Sequence, residues 1–135
     1  MLSKKTRYAM LALTYLAKEY GNGSIQISEI AQKESIPKRF LEGILLELKK
    51  TGILGSKLGK EGGYYLLKRP EEVSLAHIIR YFEGGIAMIY CVSEKSYQPC
   101  EFCKDETKCK IRDVFKELRD KTREILEQTT LDKLI

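Results

Sequence analysis

Apolar positions recur at helical spacing through the first fifty residues, and breakers separate the runs. Ser3 stands as a cap ahead of the apolar stretch Tyr8–Ala17, and Gly21-Asn22-Gly23 follows Tyr20, so a first helix is expected from Ser3 to Tyr20. Ser28 is placed to cap a short second helix reaching about Lys33, with Ile30 and Ala31 inward. Ser35-Ile36-Pro37 breaks and restarts the chain. Pro37 suits the first position of a third helix, where its missing N–H is no loss. That helix carries Phe40, Leu41, Ile44, Leu45 and Leu48 on one face and ends at Thr51-Gly52. The runs Ile53-Leu54 and Tyr64–Leu67 then flank Gly59-Lys60-Glu61-Gly62-Gly63, the pattern of a hairpin with a glycine-rich tip closed by Pro70. Tyr64 and Tyr65 read as strand packing, with an aromatic placed near DNA as the alternative. Ser74 caps a fourth helix, Leu75–Glu83, stopped by Gly84-Gly85. The last helix is expected from Ile111 to about Gln128: Ile111, Phe115, Leu118, Thr122 and Ile125 step by 4, 3, 4 and 3, a seam suited to pairing with another helix. Glu117 and Lys121 form a favourable pair on its outer side.

The class is mainly α. The order helix, short helix, turn, helix, hairpin is that of a winged helix-turn-helix, in which the third helix enters the major groove and the hairpin wing reaches the neighbouring backbone. Lys38, Arg39 and Glu42 cluster at the amino-terminal end of that helix. Arg can bond guanine in bidentate fashion and Glu can accept from cytosine N4. Lys57 and Lys60 flank the wing tip, where they can neutralise phosphates. Charge changes this picture from a pattern to a direction. Residues 1–70 carry a net +7 and residues 71–135 a net −2, so the positive excess of the whole 135-residue chain sits in the half bearing the motif. An ordinary charged rim around a helical core is the competing reading, and a metal-structured or electron-carrying protein with no DNA role is the competing functional class.

The basic start Lys4-Lys5-Thr6-Arg7 before an apolar stretch mimics a signal peptide. Tyr8, Thr14 and Tyr15 dilute the run, and no small-residue cleavage site follows, so a buried helix and a cytoplasmic protein are expected. No apolar run approaches the ~18 residues of a membrane span. All four cysteines, Cys91, Cys100, Cys103 and Cys109, fall within 19 residues. Clustered thiols select zinc or an iron–sulfur cluster. Cys100 and Cys103 form a C-x-x-C pair, but the outer spacings are not those of a zinc ribbon, and a redox-active dithiol or inert thiols are the alternatives. Lys104, Lys108 and Lys110 are expected to lower the thiol pKa values. The lone His77 reads as a packing or surface residue, and no catalytic constellation is present, so no enzyme is expected. The chain divides into a DNA-binding unit at 1–85, a cysteine-bearing sensor loop at 86–110, and a dimerisation helix with its tail at 111–135.

Several stretches together resemble one family. They are Ser3-Lys4-Lys5-Thr6-Arg7-Tyr8-Ala9, Ile36-Pro37-Lys38-Arg39-Phe40-Leu41-Glu42, Leu45-Leu46-Glu47-Leu48-Lys49-Lys50-Thr51-Gly52, the wing Gly59-Lys60-Glu61-Gly62-Gly63-Tyr64, and the cysteine loop before Ile111-Arg112. The chain resembles, over nearly its whole length, the winged-helix transcription regulators of the Rrf-two family (the IscR, NsrR and CymR type). The resemblance implies a bacterial homodimer that represses or activates genes by occupying near-palindromic promoter DNA, with the long last helix crossing its twin. It implies base contacts from Lys38, Arg39 and Glu42 and backbone contacts from Lys4, Lys5, Lys57 and Lys60. It further implies an iron–sulfur cluster on Cys91, Cys103 and Cys109, sensing iron, redox state or nitric oxide, with zinc as the alternative. Some relatives complete the cluster with a His where this chain has Arg112, others with an acidic residue where it has Arg7. Cys100 is therefore expected as the fourth ligand. Many relatives place Arg where the wing here has Leu58, and Lys57 or Lys60 stands in for it.

Overall fold

The computed structural model describes residues 2–135. Helix α1 spans Lys4–Lys18, and Ser3 caps it as expected, its hydroxyl accepting from the Thr6 N–H at 3.2 Å. Helix α2 spans Ile27–Glu34, so Ser28 lies inside the first turn and does not cap it. The cause is tertiary. Ile25 exchanges two 2.8 Å backbone bonds with Tyr64, which keeps the chain extended up to Gln26 and starts the helix directly after it. Ser35 ends α2 in the left-handed region (φ +54°), and Ile36 turns into the core behind it. Pro37 precedes α3, Lys38–Lys50, as its cap residue.

Leu41, Ile44, Leu45 and Leu48 bury the inner face of α3 against Ala9, Leu13 and Leu16 of α1 and Ile30 of α2. Phe40, expected on that face, is instead 40% exposed at its margin, where its ring meets Tyr8 edge-on at 5.6 Å. Strands β1 (Leu54–Lys57) and β2 (Gly63–Leu66) pair antiparallel, with Leu54 opposite Leu66 and Lys57 opposite Gly63. The bridge from Ile25 to Tyr64 ties this wing to the chain entering α2. A Cβ on Gly63 would stand 2.1 Å from the Ile25 carbonyl oxygen, which is main chain and has little room to give. Gly63→Ala is expected to destabilise the protein by roughly 1–3 kcal/mol through this overpacking. Urea denaturation measures the loss; an unchanged midpoint would show the bridge to be dispensable.

Helix α4, Leu75–Glu83, is capped by Ser74, and Gly84 closes it with φ +84°. Helix α5, Lys110–Gln128, is capped by Cys109, and none of its 19 residues is buried. The expected Glu117–Lys121 pair forms at 3.1 Å. The chain then returns to the head: Leu75 N–H donates to Thr129 O (2.9 Å), Leu131 N–H donates to Val73 O (3.0 Å), and Leu131 is fully buried in the main core. The tail thus closes the same core as the amino-terminal helices. Among the described residues no helix is long and apolar enough to cross a membrane.

Candidate nucleic-acid interface and cysteine segment

The first turn of α3 presents its chemistry outward because the apolar set Leu41, Ile44 and Leu45 takes the opposite face. Lys38, Arg39 and Glu42 are all exposed, and among the described residues none of the three makes an ion pair. Lys57 and Lys60 are also exposed, at the end of β1 and in the wing tip. The tip is tethered from the chain before α2. The Gln26 side-chain amide donates to Lys60 O (3.1 Å), and the Ser24 hydroxyl donates to Glu61 O (3.0 Å). The sequence offered no signal for these two tethers. Leu58, at the tip, is 94% exposed.

The two lysines of α1 part company. Lys4 is exposed, whereas the Lys5 ammonium pairs with Glu47 of α3 at 2.6 Å and lies 5.7 Å from the centre of the Phe82 ring. Lys5 therefore links α1 to α3 in the free chain. His77 is half-buried on α4 with Lys68, Lys95 and Arg80 as its charged neighbours, and burial first, then these cations, hold its pKa down. Those neighbours suit a packing residue.

The four cysteines are free thiols. Cys91 is buried in the short turn Tyr90–Val92, while Cys100, Cys103 and Cys109 are partly exposed. The Cys109 sulfur accepts from the Arg112 N–H at 3.4 Å, which starts α5. Cys109 and Cys100 are the thiols that neighbour Cys103. Desolvation pushes the Cys103 thiol pKa up, and the neighbouring Cys109 and Cys100 sulfurs add to the rise. The expected lowering by nearby lysines does not occur at this thiol, and Lys108 turns toward Asp105 at 4.0 Å.

An arginine ladder on α5 grips the other end of the segment. Arg112 Nε donates to Cys91 O (3.3 Å), Arg119 donates to Val92 O (2.7 Å), and Arg123 pairs with Glu94. Arg119 is the most enclosed of the three, its side chain 13% exposed. Among the described residues no three Cys, His, Asp or Glu side chains are gathered for one metal ion. The donor chemistry still suits a soft metal or cluster: four free thiols share one segment, and Cys100 and Cys109 neighbour Cys103. Closing a ligand shell requires the loop to draw in around the buried Cys91.

The whole described chain, residues 2–135, matches the Rrf2 family model, described as "Iron-dependent Transcriptional regulator". A putative HTH-type, rrf2-like transcriptional regulator of Rhodobacter capsulatus is 43% identical over 138 residues, covering 100% of this chain and 92% of that protein. The structure of CymR, the global cysteine regulator of B. subtilis, superposes with a TM-score of 0.83 at 30% identity, covering 99% of this chain and 95% of the other. T. potens IscR superposes with a TM-score of 0.75 at 25% identity, covering 99% and 85%. An exposed basic turn on α3, a tethered wing and whole-length similarity to such regulators lead to one assignment: the chain belongs to the Rrf2 family of winged-helix, DNA-binding transcriptional regulators.

Proposed function

We propose that two copies of this chain pair through α5 and set their α3 helices into successive major grooves of a near-palindromic promoter site, in the cytoplasm of a bacterium. The observation that carries this reading is the first turn of α3, where Lys38, Arg39 and Glu42 stand exposed and unpaired, with the wing lysines Lys57 and Lys60 exposed as well. Lys4 adds a backbone contact; Lys5 joins it only by giving up Glu47. Selection of duplexes from a random-sequence pool, followed by footprinting, tests it. Two half-sites with centres about one helical turn apart are expected. Binding without sequence preference above a salt-sensitive background would overturn it.

The cysteine segment is the sensor in this reading. Cys91, Cys100, Cys103 and Cys109 hold an iron–sulfur cluster, which when bound supplies a centre whose integrity follows iron, oxidant or nitric oxide. The chain's own part is transmission. Cys109 caps α5, and Arg112 and Arg119 tie the Cys91–Val92 backbone to it, so rearrangement among the thiols reorients α5. Reorienting α5 shifts the spacing of the two α3 helices, a change of population between dimer geometries. Anaerobic purification should yield a coloured protein containing iron and acid-labile sulfide, and Cys100→Ala should shorten the lifetime of that colour. A colourless protein with stoichiometric zinc would overturn the cluster. The nearness of Cys103 and Cys109 favours a second reading, sensing by the thiols themselves. A metal-free protein whose DNA affinity changes on peroxide treatment would select it.

A further inference from the structure

Glu83 is the last residue of α4 and stands directly before Gly84-Gly85, where the head gives way to the cysteine segment. Its side chain turns back onto the first turn of α1. One oxygen, Oε1, accepts from the Ser3 backbone N–H at 2.9 Å and from the Thr6 hydroxyl at 2.5 Å. Thr6 is fully buried, and its hydroxyl lies 3.1 Å from that of Ser3, the residue that caps α1. The joint behind Glu83 is tight, since a Cβ on Gly85 would stand 2.8 Å from the Ser93 hydroxyl. Glu83 therefore fastens three things at one point: the end of α4, the start of α1 and the exit toward the cysteines.

From α1 the contacts continue into α3. Lys5 pairs with Glu47 and rests near Phe82, the neighbour of Glu83. Tyr8 packs edge-on against Phe40, the neighbour of Arg39. We propose that Glu83 is a positioning residue for DNA binding: by tying the first turn of α1 to the joint at Gly84-Gly85, it fixes α1 against α3 and so sets where Lys4, Lys38 and Arg39 stand relative to the duplex. A carboxylate repels phosphate, so Glu83 acts through these neighbours and not by touching DNA. Both of its bonds converge on a single oxygen. A glutamine amide carbonyl can accept both of them, and an alanine can accept neither.

The test compares the full chain with Glu83→Ala and Glu83→Gln. The probe is a duplex selected by the parent protein from a random-sequence pool, read by fluorescence anisotropy at several salt concentrations. Each variant is measured at a temperature where circular dichroism shows it folded. Glu83→Ala is expected to lose about tenfold in affinity. The slope of log affinity on log salt should stay as in the parent, because no phosphate contact is removed. Glu83→Gln should bind within about threefold of the parent. Parental affinity in Glu83→Ala, equal losses in both variants, or a slope smaller by about one unit would each overturn the proposal. If Glu83→Ala does not fold, Thr6→Val removes one donor at nearly constant shape. About a threefold loss with an unchanged slope is then expected, and no loss would overturn the proposal. Binding of the selected duplex by the parent is the control for DNA recognition, so failure of that function and failure of this role are told apart.

Discussion

Arg39→Ala should lower affinity for the selected operator by roughly five- to a hundredfold and relax sequence preference at one position in each half-site. The argument is local. Arg39 is exposed in the first turn of α3, the part of a recognition helix that meets base edges, and no carboxylate of the described chain holds it. Its guanidinium is therefore free for a bidentate bond to a guanine, and losing that bond discriminates among bases as well as weakening binding. The fold should not notice, since an exposed side chain away from caps and cores changes stability by no more than about 0.5 kcal/mol. Lys60→Ala provides the contrast. It should weaken binding to all sequences about equally and reduce the salt slope by about one, because a wing lysine reads charge and not sequence. Competition between duplexes differing at single positions separates the two behaviours. An Arg39→Ala variant with parental preferences would remove this residue from the set of base readers.

The regular part of this molecule was legible because its signals are local. Ser3, Ser74 and Gly84 begin or end helices by hydrogen bonds and backbone angles that span a few residues, and the structure places those boundaries within a residue or two of expectation. What was not legible depends on partners distant in sequence. Ser28 has the chemistry of a cap, yet the pairing of Ile25 with Tyr64 moves the cap two residues earlier, to Gln26. Lys4 and Lys5 look alike in a basic run. One step of helix rotates neighbours by about 100°, leaving Lys4 in solvent and turning Lys5 onto Glu47. The burial of Leu131 follows from the bridge between Ser74 and Thr130, which no periodicity announces. The cysteine cluster was visible as composition, but its geometry was not. Cys91 is the buried thiol, and it lies where Arg112 and Arg119 hold the segment to α5.

On the proposed pairing of two copies through α5, Leu118→Glu should convert dimer to monomer while leaving the head folded. Helix α5 buries no residue within the chain, and Ile111, Val114, Leu118 and Ile125 are 42–69% exposed along it. The adjoining side of the helix carries Phe115, Arg119, Thr122 and Leu126, which with Leu118 line a groove of about 690 Å³ shared with the segment after α4, where Met88 and Tyr90 are also largely exposed. A surface of this kind is apolar enough to need a cover. A second copy of the same helix supplies one, and a two-fold interface presents each substitution twice. Burying an unpaired carboxylate from each copy should cost roughly 2–6 kcal/mol in total. That raises the dimer dissociation constant by roughly thirtyfold to ten-thousandfold. Sedimentation velocity reads the change in mass. Circular dichroism should show the head intact, because Leu118 lies outside the main core. Operator affinity should fall far more than with any single base contact, since a monomer presents one α3 helix to a two-part site. If Leu118→Glu remained a dimer at concentrations where the parent is one, the pairing surface would lie elsewhere. The cysteine segment would then have no route through α5 to the spacing of the two α3 helices.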